Sequence, residues 1–289
     1  MYVGVMMFPT DTAIQPVELA VAAEDRGFES LWFPEHSHIP VSRKTPWGGQ
    51  KDAPPLPEMY WRTHDQFVAL GAAAARTSTI RLCSGITLVA QRDPLWLAKE
   101  VASLDTLSGG RFVFGIGYGW NREEVEDHGV PFRYRRDILR EKVLAMKALW
   151  TEDVAEFHGT YVDFEPSWAW PKPVQEPHPP IVMGGGAGPK TFAHIAEFCD
   201  GWMPIYGRHG IDDAKLEQLG DALEAAGRPR DDVELGMFGV PADPRILTSL
   251  AEQGIARAVL SLPPDPEPAI VERLDRYAEV VRSAAVTDD

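Results

Sequence analysis

Three stretches of the chain combine residue types that can do chemistry. In the first, Gly184-Gly185-Gly186-Ala187-Gly188-Pro189-Lys190-Thr191, four glycines stand directly before a helical run. Glycine lets backbone amides come close to a ligand, and the partial positive charge of a helix start favours an anion, most often phosphate. Lys190 and the Thr191 hydroxyl add donors. The GK[ST] ending of a Walker loop is absent. The second stretch, Gly115-Ile116-Gly117-Tyr118-Gly119-Trp120-Asn121, is close to a dinucleotide fingerprint, but its third glycine comes one position early. Its glycines either leave room for a flat ligand, with Tyr118 or Trp120 as a wall, or simply form a tight turn. The third, Glu35-His36-Ser37-His38, offers His36 as an imidazole that donates to, or protonates, a ligand. His-x-His also suits a metal-dependent hydrolase, which would need more ligands at later strand ends. His178, His209 and Asp265 are the remaining candidates and sit poorly for that role.

Elements must hold these stretches in place. Tyr2–Phe8, Ser30–Phe33, Thr79–Val89, Arg111–Gly117, Pro180–Met183, Asp200–Ile205, Val233–Val240 and Ala256–Leu260 read as strands, alternating with runs of helical spacing. RFVFGIG is apolar almost without alternation, as expected of a parallel strand covered on both faces. The clearest helix lies just before it. Asp93 caps it, Pro94 takes its first position, Leu95, Leu97, Ala98, Val101, Leu104 and Leu107 supply one broad apolar face, and Ser108-Gly109-Gly110 stops it. Thr63 and Gln66 read as a capping box opening the helix that runs to Arg76. This alternation favours a (β/α)8 barrel over an open sheet, with residues 1–289 as one domain, and places active residues at the C-terminal strand ends.

Two long segments, one from the second strand to Arg62 and one over Thr151–Pro179, read as irregular insertions. Trp47, Tyr60 and Trp61 in the first, and Trp168 and Trp170 in the second, are expected to roof a substrate pocket for an apolar or aromatic molecule, or to pack among themselves. Arg43, Lys44, Lys51 and Arg62 could meet an acidic ligand tail.

At 289 residues, 44% apolar and 25% charged, the chain can bury a large core. A formal net charge of -15 argues against nucleic acid or an anionic membrane as a general partner, so any anionic ligand must be held by local donors. Cys83 and Cys199 are far apart in sequence and suit a reduced, cytoplasmic protein. MYVGVMMFP lacks the basic start of an export signal, and no run approaches the roughly twenty apolar residues of a membrane span.

From SLWFPEHSHIP through IRLCSGITLVAQRDPLWLAKEVASLDTLSGGRFVFGIGYGWNREE to IVMGGGAGPKTFAHIAEFCDGWMP, the chain resembles the luciferase-like flavin and deazaflavin oxidoreductases. Within them it most resembles the branch that uses coenzyme F420. The resemblance implies a (β/α)8 barrel and hydride transfer between coenzyme F420 and an organic substrate. The alternative cofactor is FMN, with monooxygenation. A homodimer is also implied.

Residue by residue, the resemblance implies that His36 lies near the reactive ring and acts in catalysis. It also implies a non-prolyl cis peptide at Ser84-Gly85 and a phosphate-binding loop from Gly184. The cofactor site expected on this basis comprises Glu35, Ser84, Gly85, Thr87, Gly117, Tyr118, Gly119 and Trp120, together with Gly184, Gly185, Gly186, Gly188, Lys190 and Thr191. The glutamate that follows the fourth strand in the deazaflavin-dependent sugar-phosphate dehydrogenases is replaced here by Trp120, and their tryptophan after the histidine by Pro40. Sugar-phosphate oxidation is therefore not expected.

Overall fold

The computed structural model describes residues 1–284. Its strands and helices run β1 Tyr2–Met6, α1 Pro16–Glu24, β2 Ser30–Phe33, α2 Met59–Arg62, α3 Gln66–Ala74, β3 Arg81–Ser84, α4 Pro94–Ser108, β4 Phe112–Ile116, α5 Arg122–Asp127 and α6 Arg135–Thr151. They continue with β5 Ala155–His158, β6 Asp163–Ser167, β7 Ile181–Gly184, α7 Pro189–Phe198, β8 Gly201–Met203, α8 Asp213–Ala225, β9 Glu234–Val240, α9 Pro244–Glu252, β10 Arg257–Ser261 and α10 Glu267–Ser283. Eight parallel strands close in the order β1-β10-β9-β8-β7-β4-β3-β2, so barrel strands that follow one another in the chain also pair in space. The ring is sealed where Tyr2–Met6 lies in register with Arg257–Ser261. This is the expected (β/α)8 barrel.

Side-chain alternation fills both layers of the core. Trp32, Cys83, Val113, Val182, Met203, Phe238 and Val259 form one buried cluster, while Leu31, Phe33, Phe112, Phe114 and Ile116 join the larger cluster that includes the helices. Cys83 and Cys199 are buried and unpaired. Among the described residues, no helix is long and apolar enough to cross a membrane. At the N-terminal end of the barrel, a cavity of about 630 Å³ is bordered by Glu29, Arg81, Glu234 and Arg257. Arg257 donates to Glu29 at 2.8 and 3.0 Å and to Glu234, so these charges are committed to one another.

Local signals set most boundaries. Asp93 accepts from the Leu95 and Trp96 amides, and α4 ends at Gly109, whose φ of 69° is the left-handed cap that glycine adopts most readily. Asp243 caps α9 in the same manner. The predicted capping box of Thr63 and Gln66 is not formed. Asp65 caps α3 through the Val68 amide, and the Gln66 side chain turns inward to the Phe33 carbonyl and the Thr87 hydroxyl.

The third strand is shorter than its apolar run suggests. Regular pairing stops at Ser84, opposite Phe33, and Thr87 touches β4 only through a single bridge to Ile116. The cis peptide is Gly85–Ile86, one residue later than expected. Ser84 and Gly85 still belong to the ladder, since the Gly85 amide donates to the Phe33 carbonyl at 2.8 Å and Ser84 Oγ to the Gly115 carbonyl at 2.8 Å.

Ile86 then fills the room that the neighbouring glycines leave. A Cβ on Gly117 would lie 1.7 Å from Ile86 Cδ1, and one on Gly184 would lie 2.7 Å from Ile86 Cγ2. Gly117→Ala is accordingly expected to cost about 1–3 kcal/mol by overpacking. Urea denaturation checks this; a midpoint equal to that of the parent would mean that Ile86 moves aside freely.

The segment Thr151–Pro179 is not wholly irregular. It contains the antiparallel pair β5–β6, whose turn is tied to α6 by Glu141, which accepts from the amides of Thr160, Tyr161 and Val162. The following residues run along α4, where Asp105 accepts from the Val174 and Gln175 amides. They pass outside the barrel wall and do not roof its mouth.

Candidate active site

A cleft of about 720 Å³ opens at the C-terminal ends of the barrel strands, where parallel barrels carry their sites. Gly85 and Ile86 from β3 and its continuation, Met6 from β1 and Phe238 from β9 line its base.

One group of lining residues is aromatic. His36 stands 5.0 Å from the Tyr60 ring and 5.8 Å from the Trp120 ring, Phe8 lies 4.6 Å from Tyr60, and Trp47 meets Tyr60 edge-on at 5.8 Å. Such rings offer a flat apolar surface to a ligand. Burial raises the Tyr60 pKa above the ordinary tyrosine value, so it stays a neutral phenol near neutrality.

His36 is the polar exception among these rings. Its Nδ1 lies 2.7 Å from Glu124 Oε2, with side-chain exposures of 6% and 1%. The other carboxylate oxygen of Glu124 accepts from the Ser37 amide at 3.2 Å and from Gln91 at 3.3 Å. An acidic partner at Nδ1 places the proton there and leaves Nε2 for a ligand. His38 turns the other way, to Ser37 and to Asp127 at 3.1 Å. Among the described residues, no group of three or more His, Cys, Asp or Glu is placed to hold a metal ion.

A second lining group is basic and glycine-bearing. Arg135, Arg136 and Arg208 border the cleft together with Gly184, Gly185 and His209. Arg135 donates to the Gly119 carbonyl at 3.1 Å and the Phe132 carbonyl at 2.9 Å, Arg208 donates to the Gly48 carbonyl, and Arg136 stacks 4.5 Å above the Tyr118 ring. Among the described residues, none of these three guanidiniums has a carboxylate partner. Burial pushes the Tyr118 hydroxyl up to about 12, and that hydroxyl meets His194 Nδ1 at 2.9 Å.

Residues 9–242 match the family model described as luciferase-like monooxygenase. The chain belongs to this luciferase-like family. It is 42% identical over 278 residues to an uncharacterized protein of Mycobacterium tuberculosis (strain ATCC 25618 / H37Rv), covering 95% of this chain and 97% of that one. It is 31% identical over 224 residues to the F420-dependent glucose-6-phosphate dehydrogenase of Kineococcus radiotolerans, covering 75% of this chain and 60% of that one. Among solved structures, the monooxygenase RslO1 from Streptomyces bottropensis superposes with a TM-score of 0.77 at 21% identity, over 98% of this chain and 99% of that one, a likeness of fold.

Of the residues singled out from the luciferase-like resemblance, the cleft brings together Glu35, His36, Gly85, Tyr118, Gly119, Trp120, Gly184 and Gly185. Trp47 and Tyr60 from the first insertion join them. The Glu35 carboxylate is already engaged, by the Leu88 amide at 2.6 Å and by Arg92.

The other expected residues stand outside the cleft lining. Ser84 and Thr87 are fully buried, and their hydroxyls are spent on the Gly115 carbonyl and Gln66. Gly117 faces Ile86. Gly186, Gly188, Lys190 and Thr191 lie behind the cleft lining: Lys190 pairs with Asp137 on α6, and Thr191 is 2% exposed. Trp61, Trp168 and Trp170 stand on the outer surface, Trp168 at 82% exposure. Of the basic residues in the first insertion, Arg62 is held by Asp11 at 2.8 Å, and Arg43, Lys44 and Lys51 do not border the cleft.

Sequence reasoning missed Phe8, Arg135, Arg136, Arg208 and Phe238. A signal existed for Arg208, which sits in the strand-end segment YGRHG. Arg135 and Arg136 open a helix that looks amphipathic and solvated, and nothing in their spacing separates them from surface charge.

Proposed function

We propose that the protein is an oxidoreductase that moves a hydride between coenzyme F420 and a small organic substrate, apolar or aromatic in character. The observation that carries this reading is the pairing, in one cleft, of an aromatic cage around His36 with three arginines that lack carboxylate partners among the described residues. In a chain of net charge -15, three clustered guanidiniums without ion pairs favour an anionic ligand. The phosphate and acidic tail of F420 fit that need, and the F420-dependent relative, 31% identical over 224 residues, supports F420, while an FMNH(2)-dependent relative, 33% identical over 129 residues, keeps FMN as the second reading.

Bound there, the deazaflavin would supply a ring carbon that gives or takes a hydride. The chain's own residues do the rest. Arg135, Arg136 and Arg208 hold negative charge, the Gly184–Gly185 turn at the end of β7 lets a ligand approach the backbone, and the rings of Tyr60 and Trp120 confine the substrate beside His36. His36 Nε2 gives or takes the proton that accompanies the hydride.

The test is a titration of the purified protein with oxidised F420 and, separately, with FMN, following cofactor fluorescence. Saturable binding of F420 alone is the expected result. Binding of FMN alone would replace the proposal with oxygen-dependent monooxygenation, and binding of neither would overturn both.

A further inference from the structure

The three arginines of the cleft do not share one neighbourhood. Arg135 and Arg136 open α6, where Arg135 stacks 3.7 Å above the Phe132 ring and Arg136 4.5 Å above the Tyr118 ring. Arg208 comes from the segment after β8 and meets the first insertion. β2 and β8 stand opposite one another in the closed ring, so the insertion that leaves β2 crosses the barrel mouth to reach Arg208. The guanidinium donates to the Gly48 carbonyl and packs so closely on that turn that a Cβ at position 48 would lie 2.6 Å from Nη1. Gly48 also has a φ of 59°, so glycine serves both the turn and the contact.

This contact puts Arg208 at the end of the cleft where the substrate is read to lie. Trp47, next to Gly48, meets the Tyr60 ring at 5.8 Å, and Tyr60 stands 5.0 Å from His36. Burial raises the Tyr60 pKa and the Arg208 charge acts against it, whereas the Tyr118 hydroxyl, also raised by burial, feels the opposing charges of Arg136 and Arg135. A guanidinium carries several N–H donors, and the one described bond of Arg208, to Gly48, leaves most of them free. The protein supplies no carboxylate for them. Among the described residues, Glu35 is the one acid in the cleft lining, and it is held by the Leu88 amide and Arg92.

We propose that Arg208 binds a carboxylate of the substrate, which makes the substrate a small organic acid with an apolar or aromatic body. The body lies on Tyr60 and Trp120 beside His36, and the carboxylate reaches the guanidinium at the Trp47–Gly49 turn. This rests on the hydride-transfer reading and divides its cations between two ligands, Arg135 and Arg136 for the cofactor and Arg208 for the substrate. A planar fork of donors suits a carboxylate and gains less from a neutral amide of the same shape.

Calorimetric titration with cinnamate and with cinnamamide, its neutral counterpart, tests the assignment, both in protein saturated with oxidised F420 and in protein without cofactor. The parent should bind cinnamate at least about tenfold more tightly than cinnamamide. Arg208→Gln should lose that preference while its affinities for cinnamamide and F420 stay within about twofold of the parent's, and Arg208→Lys should recover part of the preference. Equal binding of the two probes by the parent, or a preference that survives in Arg208→Gln, would overturn the proposal. So would an equal loss of both probes in Arg208→Gln, which would make Arg208 a strut for the Trp47–Gly49 turn. A fall in F420 affinity in Arg208→Gln would overturn it as well, by giving the guanidinium to the cofactor. Should neither F420 nor FMN bind, the functional reading fails, and the titration without cofactor decides the carboxylate site by itself.

Discussion

His36→Ala is expected to lower turnover by roughly 10²–10⁴-fold while leaving F420 affinity little changed. The imidazole lies in the aromatic part of the cleft with Nδ1 already fixed, at 2.7 Å from Glu124, which leaves Nε2 without a described partner. Removing it takes away a proton donor or acceptor and few cofactor contacts, so the loss should fall on kcat. The measurement compares kcat on a substrate drawn from small alcohols, ketones and enones with F420 affinity from fluorescence quenching. Equal turnover in the variant would take His36 off the catalytic list. A parallel loss of affinity would recast it as a binding residue.

Arg136→Ala should weaken F420 binding by roughly 10–100-fold, the loss expected when a charge-assisted hydrogen bond worth about 1.5–3 kcal/mol is removed. The protein should remain about as stable as before, because Arg136 has no ion pair among the described residues and stacks on the Tyr118 ring at the cleft margin. The contrast is Lys190→Ala. Lys190 carries the same charge and sits in the glycine motif, but its ammonium is tied to Asp137 outside the cleft, so F420 affinity should hardly change. The difference should shrink as salt is raised, in line with a screened electrostatic contact. Equal effects of the two substitutions would place the anion at the α7 start and not beside α6.

The contrast also shows what a sequence can reveal of such a site. Strand–helix alternation, the Asp93-Pro94 start of α4 and the uninterrupted apolar run of β4 are local signals, and the barrel follows from them. Sequence also located His36, because its loop follows a barrel strand. What it could not supply depends on side-chain direction across long separations. Lys190 and Arg136 are both cations near helix starts, and only packing turns one outward and the other into the cleft. Trp168 and Trp170 look like pocket aromatics until β5–β6 and Asp105 carry their segment down the outside of α4. β6 escaped notice because it is short, mostly exposed and contains Pro166. Gln66 was read as a cap residue by its spacing, whereas its side chain satisfies the Phe33 carbonyl in the interior.

The seat of Ile86 among glycines bears on how this barrel could change over generations. A methyl group at position 117 collides with the isoleucine, and a smaller residue at 86 leaves a hole, so each single step is unfavourable on its own. The pair Gly117→Ala with Ile86→Ala should lose less stability than the sum of its parts, a coupling that a double-mutant cycle reads directly. Lineages that remodel the base of the cleft would then have to alter these positions together. On that expectation the floor of the cleft changes as a unit.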